Sequence, residues 1–377
     1  KELWNNFADL NAVPRPSKKE ERVIEFIMNF GKNLGFETYK DETGNVIIKK
    51  LATTGYENKV VVALQSHLDM VHQKNGDTIF DFNEQGIDMF VDGDWVRAKG
   101  TTLGADNGIG VASIMTILAS KTIPHPAIEA LFTIDEETGM TGALGLKGGL
   151  LNAEIMLNLD TEDDNELTIG CAGGVDVTAT GNYTEIEIDA NTISKRITVK
   201  GLTGGHSGMD IHRGRGNANK LMNRLLLNLS KDLDIEISSV DGGSLRNAIP
   251  RESVSVITVS ENNKEALKKQ IQNFEATIKL EYNTTDPKLV IAIEDNETQS
   301  HVFNKDFQYK LLRSIYACPY GIYRMSPDIA GLVQTSNNVA RVIVKDGAYQ
   351  IQCLTRSSVD SEKIDLQHAI SSAFELL

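Results

Sequence analysis

Apolar positions are arranged in two different ways along this chain. In the first half, residues 59–66 (KVVVALQS), 127–134 (AIEALFTI) and 154–159 (EIMLNL) are apolar at nearly every position. Such short continuous runs predict strands covered on both faces. Residues 107–120, between the first two runs, have helical spacing. Earlier, Val23, Ile24, Ile27, Phe30 and Leu34 recur on one helical face before Gly35. Ser17 and Glu20 fit the S-x-x-E pattern, which predicts a capping box at the start of that helix. Strands alternating with helices predict an α/β layer.

The arrangement changes at Gly170-Cys171-Ala172-Gly173-Gly174, a flexible stretch after which alternating residues replace the buried runs. Strands are predicted at 196–200, 252–260, 289–293, 339–344 and 349–354, and helices at 216–229, 264–280, 303–316 and 364–377. This half reads as α+β, with helices on one face of an antiparallel sheet. The 377 residues exceed one ordinary core. The expected domains are 1–172 and 173–377.

Composition narrows the function. With 41% hydrophobic and 24% charged residues the chain is of the soluble globular class, and its net charge of -14 disfavours nucleic acid and anionic lipid as partners. Three scattered cysteines, Cys171, Cys318 and Cys353, suit neither a disulfide framework nor a cysteine zinc cage, so a reducing cytoplasm is expected. No apolar run approaches the roughly 20 residues needed to span a bilayer, and the first residues carry no signal-peptide core.

Acidic residues and one histidine stand where the apolar runs end. His67 follows the first run, and Asp69, two residues on, is placed to take its second ring proton in a carboxylate–histidine–metal arrangement. Asp106 lies in the glycine-rich turn Gly104-Ala105-Asp106-Asn107-Gly108, either as a turn or cap residue or as a carboxylate bridging two metals. Asp135-Glu136-Glu137 leaves the second run, either as a solvated acidic loop or as donors whose mutual repulsion a cation relieves. Asp160 ends the third, as a cap or a ligand. One imidazole with several carboxylates suits zinc, and a paired site would activate water, with Glu137 on metal and Glu136 turned toward substrate as the base. His72, His125, His301 and His368 read as structural.

In order and spacing, SHLDMVHQKN (66–75), GTTLGADNGIG (100–110), DEETGMTGA (135–143), LNLDTEDDNELTIGCAGG (157–174), GGHSGMDIHRGRGNANK (204–220) and RNAIPRE (246–252) resemble a known family. It is the zinc aminoacylase, carboxypeptidase and dipeptidase superfamily, and within it the bacterial aminoacyl-histidine (Xaa-His) dipeptidases. The resemblance runs from Leu3 to the end. It implies an α/β catalytic domain, with a mixed, mostly parallel sheet flanked by helices, and an inserted α+β lid.

The resemblance also implies two divalent ions, zinc first and cobalt or manganese as alternatives. His67 and Asp160 would hold one ion and Glu137 the other, with Asp106 bridging both. Glu136 would be the general base, and Asp69 would support His67. His206, otherwise a histidine in a glycine turn, would stabilise the oxyanion. Asn247 and Arg356 would hold the substrate's backbone and terminal carboxylate; unaided, Arg356 reads as a surface ion pair. The implied activity is that of a metallo-exopeptidase, a dipeptidase hydrolysing Xaa-His and other dipeptides by attack of a metal-activated water, in a family whose members often pair through the lid. An aminotripeptidase or an N-acyl amino acid deacylase is the sister reading. A non-catalytic peptide-binding or metal-storage protein is the reading from another class, and such a protein has no use for an unligated base at Glu136. The family's further metal-binding histidine, in a His-Ser-Pro-like context after the lid, finds no match in Leu366-Gln367-His368-Ala369. The expectation is that a C-terminal portion lies beyond Leu377 and that the second metal is weakly held or absent without it.

Overall fold

The apolar runs of the first half form the middle and one edge of a single sheet. The computed structural model describes residues 1–74, 78–161, 165–168, 170–188 and 191–377, and the chain divides into two units, Lys1–Leu167 and Thr168–Leu377. The first unit contains α1 (Glu2–Asn11), α2 (Glu21–Asn33), β1 (Glu37–Lys40), β2 (Val46–Lys50), β3 (Val62–His67), β4 (Met89–Asp92), β5 (Trp95–Ala98), α3 (Ala105–Ala119), β6 (Ile128–Thr133), α4 (Thr141–Gly145) and β7 (Ile155–Asn158). Its sheet runs β1-β2-β6-β3-β7. β3 is parallel to both β6 and β7, whereas β2 is antiparallel to β1 and β6.

Val46, Ile48, Leu64, Ala130 and Phe132 from the sheet pack with Val111, Ile114, Met115 and Leu118 of α3 and with Val23 and Ile27 of α2. The parallel strands share one C-terminal end, and there His67, the 134–137 loop and Asp160 leave the sheet. The third run differs from expectation, because β7 is an edge strand on which Ile155, Met156 and Leu157 are each about half exposed.

The capping box does not form. α2 starts at Glu21 after Glu20, with no side-chain cap. Ser17 Oγ instead donates to Asp69 Oδ2 at 2.8 Å, and Glu20 Oε1 accepts the N–H of Lys18 and of Asp135 at 2.8 and 3.1 Å. Tertiary partners have taken the groups that a local cap would use.

The second unit contains β8 (Gly173–Asn182), β9 (Glu185–Glu187), β10 (Thr192–Lys200), β11 (Gly205–His206), α5 (Ala218–Asp232), β12 (Glu236–Gly243), β13 (Ala248–Ile249), β14 (Ser253–Ser260), α6 (Lys264–Glu281), β15 (Val290–Asp295), β16 (His301–Phe303), α7 (Lys305–Ala317), β17 (Gly321–Met325), β18 (Val333–Lys345), β19 (Ala348–Ser357) and α8 (Asp360–Phe374). An antiparallel sheet runs β15-β10-β14-β12-β18-β19-β8, with β17 added on β18. Ile197, Ile257, Val342 and Ile351 of the sheet share one core with Leu225 of α5, Ile271 of α6, Leu311 of α7 and Leu366 of α8. Asn217 and Asn304 cap α5 and α7 by accepting the N–H of Lys220 and Phe307. The two units are thus the expected α/β and α+β classes. No helix among the described residues is long and apolar enough to cross a membrane.

Candidate metal centre

β3 delivers His67 fully buried, with its two ring nitrogens facing different groups. Nδ1 lies 3.2 Å from Asp69 Oδ1 and 3.1 Å from the Asp69 carbonyl, so it is turned toward the supporting aspartate. Nε2 lies 3.0 Å from Asp106 Oδ1 and 3.8 Å from Asp160 Oδ1. Asp69, also fully buried, accepts the backbone N–H of Glu136 on one oxygen and that of Glu137 on the other, at 3.0 and 3.2 Å. A single carboxylate therefore orients the histidine and fixes the acidic loop after β6.

Asp106 and Asn107 precede the regular part of α3 and have non-helical torsions. Gly104 ahead of them has φ +70°, and a Cβ there would stand 2.5 Å from an Arg15 nitrogen, so the turn needs glycine on both counts. Asn107 Nδ2 donates to the Leu159 carbonyl and to Asp160 Oδ1, both at 3.0 Å, which ties the α3 entrance to the end of β7. Asp135, at φ +52°, bonds the hydroxyls of Thr138 and Thr141 and so closes the acidic loop on itself.

Crowding of acids around one imidazole sets the electrostatics. Burial opposes charging of His67, but hydrogen bonds to Asp106 and Asp69 outweigh it and push the ring up to about 10. Burial likewise works against the Asp69 carboxylate, yet His67, the Glu136 N–H and Ser17 hold it down at about 2. Asp106 is lowered, chiefly by its bond to His67. Burial and then the nearby Asp106 push Glu137 up to about 7, and Glu136 and Asp160 are also raised, with burial the largest cause. Carboxylates held this close disfavour one another's charge unless a cation stands among them.

Two overlapping groups have donor atoms within 4.8 Å of one another: His67, Asp106 and Glu137, and His67, Glu136 and Asp160. One imidazole nitrogen with carboxylate oxygens is a donor set that a divalent transition metal accepts. All five residues read from the sequence as ligands or base are brought together, and His72, His125, His301 and His368 stand in no such group among the described residues. Reach alone does not separate the two glutamates, since each completes one group.

Sequence reasoning missed Arg15, Ser17, Glu20 and Asn107. The only local signal was the S-x-x-E pair, which a helix cap explained equally well.

In the second unit, β11 pairs with β13, and the Ser207 N–H donates to the Asn247 carbonyl at 2.7 Å, which brings His206 and Asn247 together. His206 Nδ1 accepts the N–H of Gly208 and Met209, leaving Nε2 as the protonated nitrogen of the neutral ring. A Cβ on Gly208 would meet both Arg356 Nε and His206 Cε1 at 3.2 Å, so Arg356 joins the same cluster. Arg356 is half-buried with an unpartnered Nε, and it forms no ion pair among the described residues, contrary to the surface-pair reading.

Comparison with known proteins bears on the whole chain. The family described as a peptidase dimerisation domain (M20) matches residues 197–286. The cytosol non-specific dipeptidase of Escherichia coli (strain K12) is 41% identical over 361 residues, which are 96% of this chain and 74% of that protein. The crystal structure of the aminoacylhistidine dipeptidase from Vibrio alginolyticus matches 100% of this chain and 76% of its own, at 44% identity and a TM-score of 0.76. This chain belongs to the same metallopeptidase family as these dipeptidases, within the aminoacylase, carboxypeptidase and dipeptidase superfamily.

Proposed function

We propose that the chain hydrolyses dipeptides, Xaa-His dipeptides among them, in the cytoplasm. His67, Asp106, Glu137 and Asp160 would hold two divalent ions, zinc in preference to cobalt or manganese. The observation that carries this reading is the pair of overlapping donor groups that share His67. When bound there, the ions would supply Lewis acidity, lowering the pKa of water and polarising the scissile carbonyl.

The chain's own groups do the rest. Asp69 holds the His67 ring through Nδ1 and sets the Glu136–Glu137 backbone. Glu136 is the general base, taking a proton from the attacking water and returning it to the departing amine. Its separation from Glu137 rests on the DEETG match rather than on distance. His206 donates from Nε2 to the developing oxyanion. Arg356 receives the terminal carboxylate and Asn247 the peptide backbone of a small substrate. Two copies pair through the second unit, a reading supported by the dimerisation-domain match.

The test is turnover of Xaa-His dipeptides by the chain with added zinc, cobalt or manganese. Glu136→Gln is expected to lower kcat by about 10²- to 10⁴-fold with metal content unchanged, whereas Glu137→Gln is expected to lower metal content as well. Turnover by Glu136→Gln at the parent rate would remove the base assignment, and a non-catalytic binding protein would show no turnover in either form.

A further inference from the structure

One short segment ahead of α2 reaches three of the four loops that carry the proposed donors, the Asp160 loop after β7 being held instead by Asn107. Asn11 Nδ2 donates to the Leu103 carbonyl at 2.9 Å. Arg15, buried to 1% exposure, donates through Nη1 to the carbonyls of Leu68 and Asp69 at 3.1 and 3.2 Å. Through Nη2 it donates to the Gly104 carbonyl at 2.5 Å and to Asn11 Oδ1 at 2.9 Å. Its own carbonyl accepts the Met70 N–H at 3.1 Å. Ser17 then bonds the Asp69 carboxylate, and Glu20 takes the Asp135 N–H. The loops after β3, before α3 and after β6 are therefore all fastened to residues 11–20.

Burying a guanidinium is costly, and among the described residues Arg15 forms no ion pair. An apolar side chain of similar size would occupy the space without that cost. What the guanidinium adds is a rigid planar fork that joins carbonyls of the His67–Asp69 loop to the Gly104 carbonyl, two residues before Asp106. Glu20 acts on the third loop, because its oxygen holds Asp135 next to Glu136 and Glu137.

We propose that Arg15 and Glu20 are positioning residues that fix the spacing of the His67, Asp106 and Glu136–Glu137 donors before any cation arrives. The proposal rests on the metal-centre reading above and concerns residues that touch neither substrate nor metal. Its prediction is about affinity, so turnover is not needed to test it.

Zinc affinity of the full chain would be measured by competition with a chromophoric chelator for the parent, Arg15→Lys, Arg15→Met, Glu20→Ala and Glu20→Gln. Arg15→Lys and Arg15→Met are both expected to weaken zinc binding by about 10- to 100-fold, because neither spans two loops. Glu20→Ala is expected to do the same, whereas Glu20→Gln keeps an oxygen for the Lys18 and Asp135 N–H groups and restores affinity close to the parent. If the Arg15 variants fail to fold, the Glu20 pair still decides. Parental affinity in Arg15→Lys or Glu20→Ala, or equal loss in both Glu20 variants, overturns the bracket. A parent chain that takes up no zinc overturns the metal-centre reading itself, which is a different failure.

Discussion

The two candidate clusters are built on opposite principles. Around His67, the supporting groups are buried and meet one another directly: Asp69 is fully enclosed, each of its oxygens accepts a backbone N–H, and three of the four donor loops are fastened to residues 11–20, while Asp106 itself is exposed. Around His206, the ring and Asn247 are exposed, a tight turn supplies N–H donors to Nδ1, and the half-buried Arg356 forms no ion pair among the described residues. The first arrangement suits small cations, whose ligands must keep their spacing before binding. The second suits a larger anion that arrives and leaves with each turnover. Damage to the first should therefore register in metal affinity, and damage to the second in substrate kinetics.

The largest separation is expected from His206→Ala. Loss of one oxyanion donor should lower kcat for dipeptides by about 10²- to 10³-fold, with zinc affinity unchanged by chelator competition. Weaker zinc binding in this variant would break the comparison. The converse variant is Asp69→Asn. The amide keeps the shape but offers one acceptor oxygen where the carboxylate has two, so either His67 or the Glu136–Glu137 backbone loses its partner. Zinc affinity should fall by about 10- to 100-fold, and equilibrium dialysis of the variant would measure it.

The same contrast explains what could be read in advance. His67, Glu136, Glu137 and Asp160 were legible because each stands where an apolar strand ends, where so many acids have little structural use, and Asp106 because it sits in a glycine-rich turn that opens a helix. Three strands of the first sheet, β3, β6 and β7, were legible as continuous apolar runs, whereas the short β1 and β2 were not anticipated. The fastening beneath the donors was not legible either. Ser17 meets Asp69 and Arg15 meets Gly104 across 52 and 89 positions, and no local pattern encodes such a pairing. The Ser17–Glu20 spacing pointed instead to a helix cap that tertiary bonds displaced. In the second unit β12 was missed, since its sequence EISSVDGG is rich in serine and glycine, and only its place between β14 and β18 makes it a strand.

Arg356→Met sharpens the comparison at smaller scale. Losing a charge-assisted pair with a terminal carboxylate should raise KM by about tenfold, with little change for a substrate whose carboxyl is amidated. Equal loss on both substrates would assign Arg356 to packing rather than to anion recognition, and steady-state kinetics on the two substrates decides between them.

The smallest effect is a proton count. In the metal-free protein at pH 7 the His67 ring, pushed up to about 10, is charged, and Glu137, at about 7, is close to half protonated. A ligating imidazole must be neutral and a ligating carboxylate ionised, so cation binding has to expel these protons. Protons compete with the metal for the raised groups, which fixes the sign: affinity falls as pH falls and rises as pH climbs from 7 toward 10. Binding at pH 7 should release about one proton from His67 and a further fraction of one from the raised Glu137. Titration calorimetry in buffers of different ionisation heat reads this number directly. Glu137→Gln should reduce it by the smaller part, and His206→Ala and Arg356→Met should leave it unchanged. A binding heat independent of buffer would mean that the cation does not displace the His67 proton, and the donor groups sharing that histidine would lose their common member.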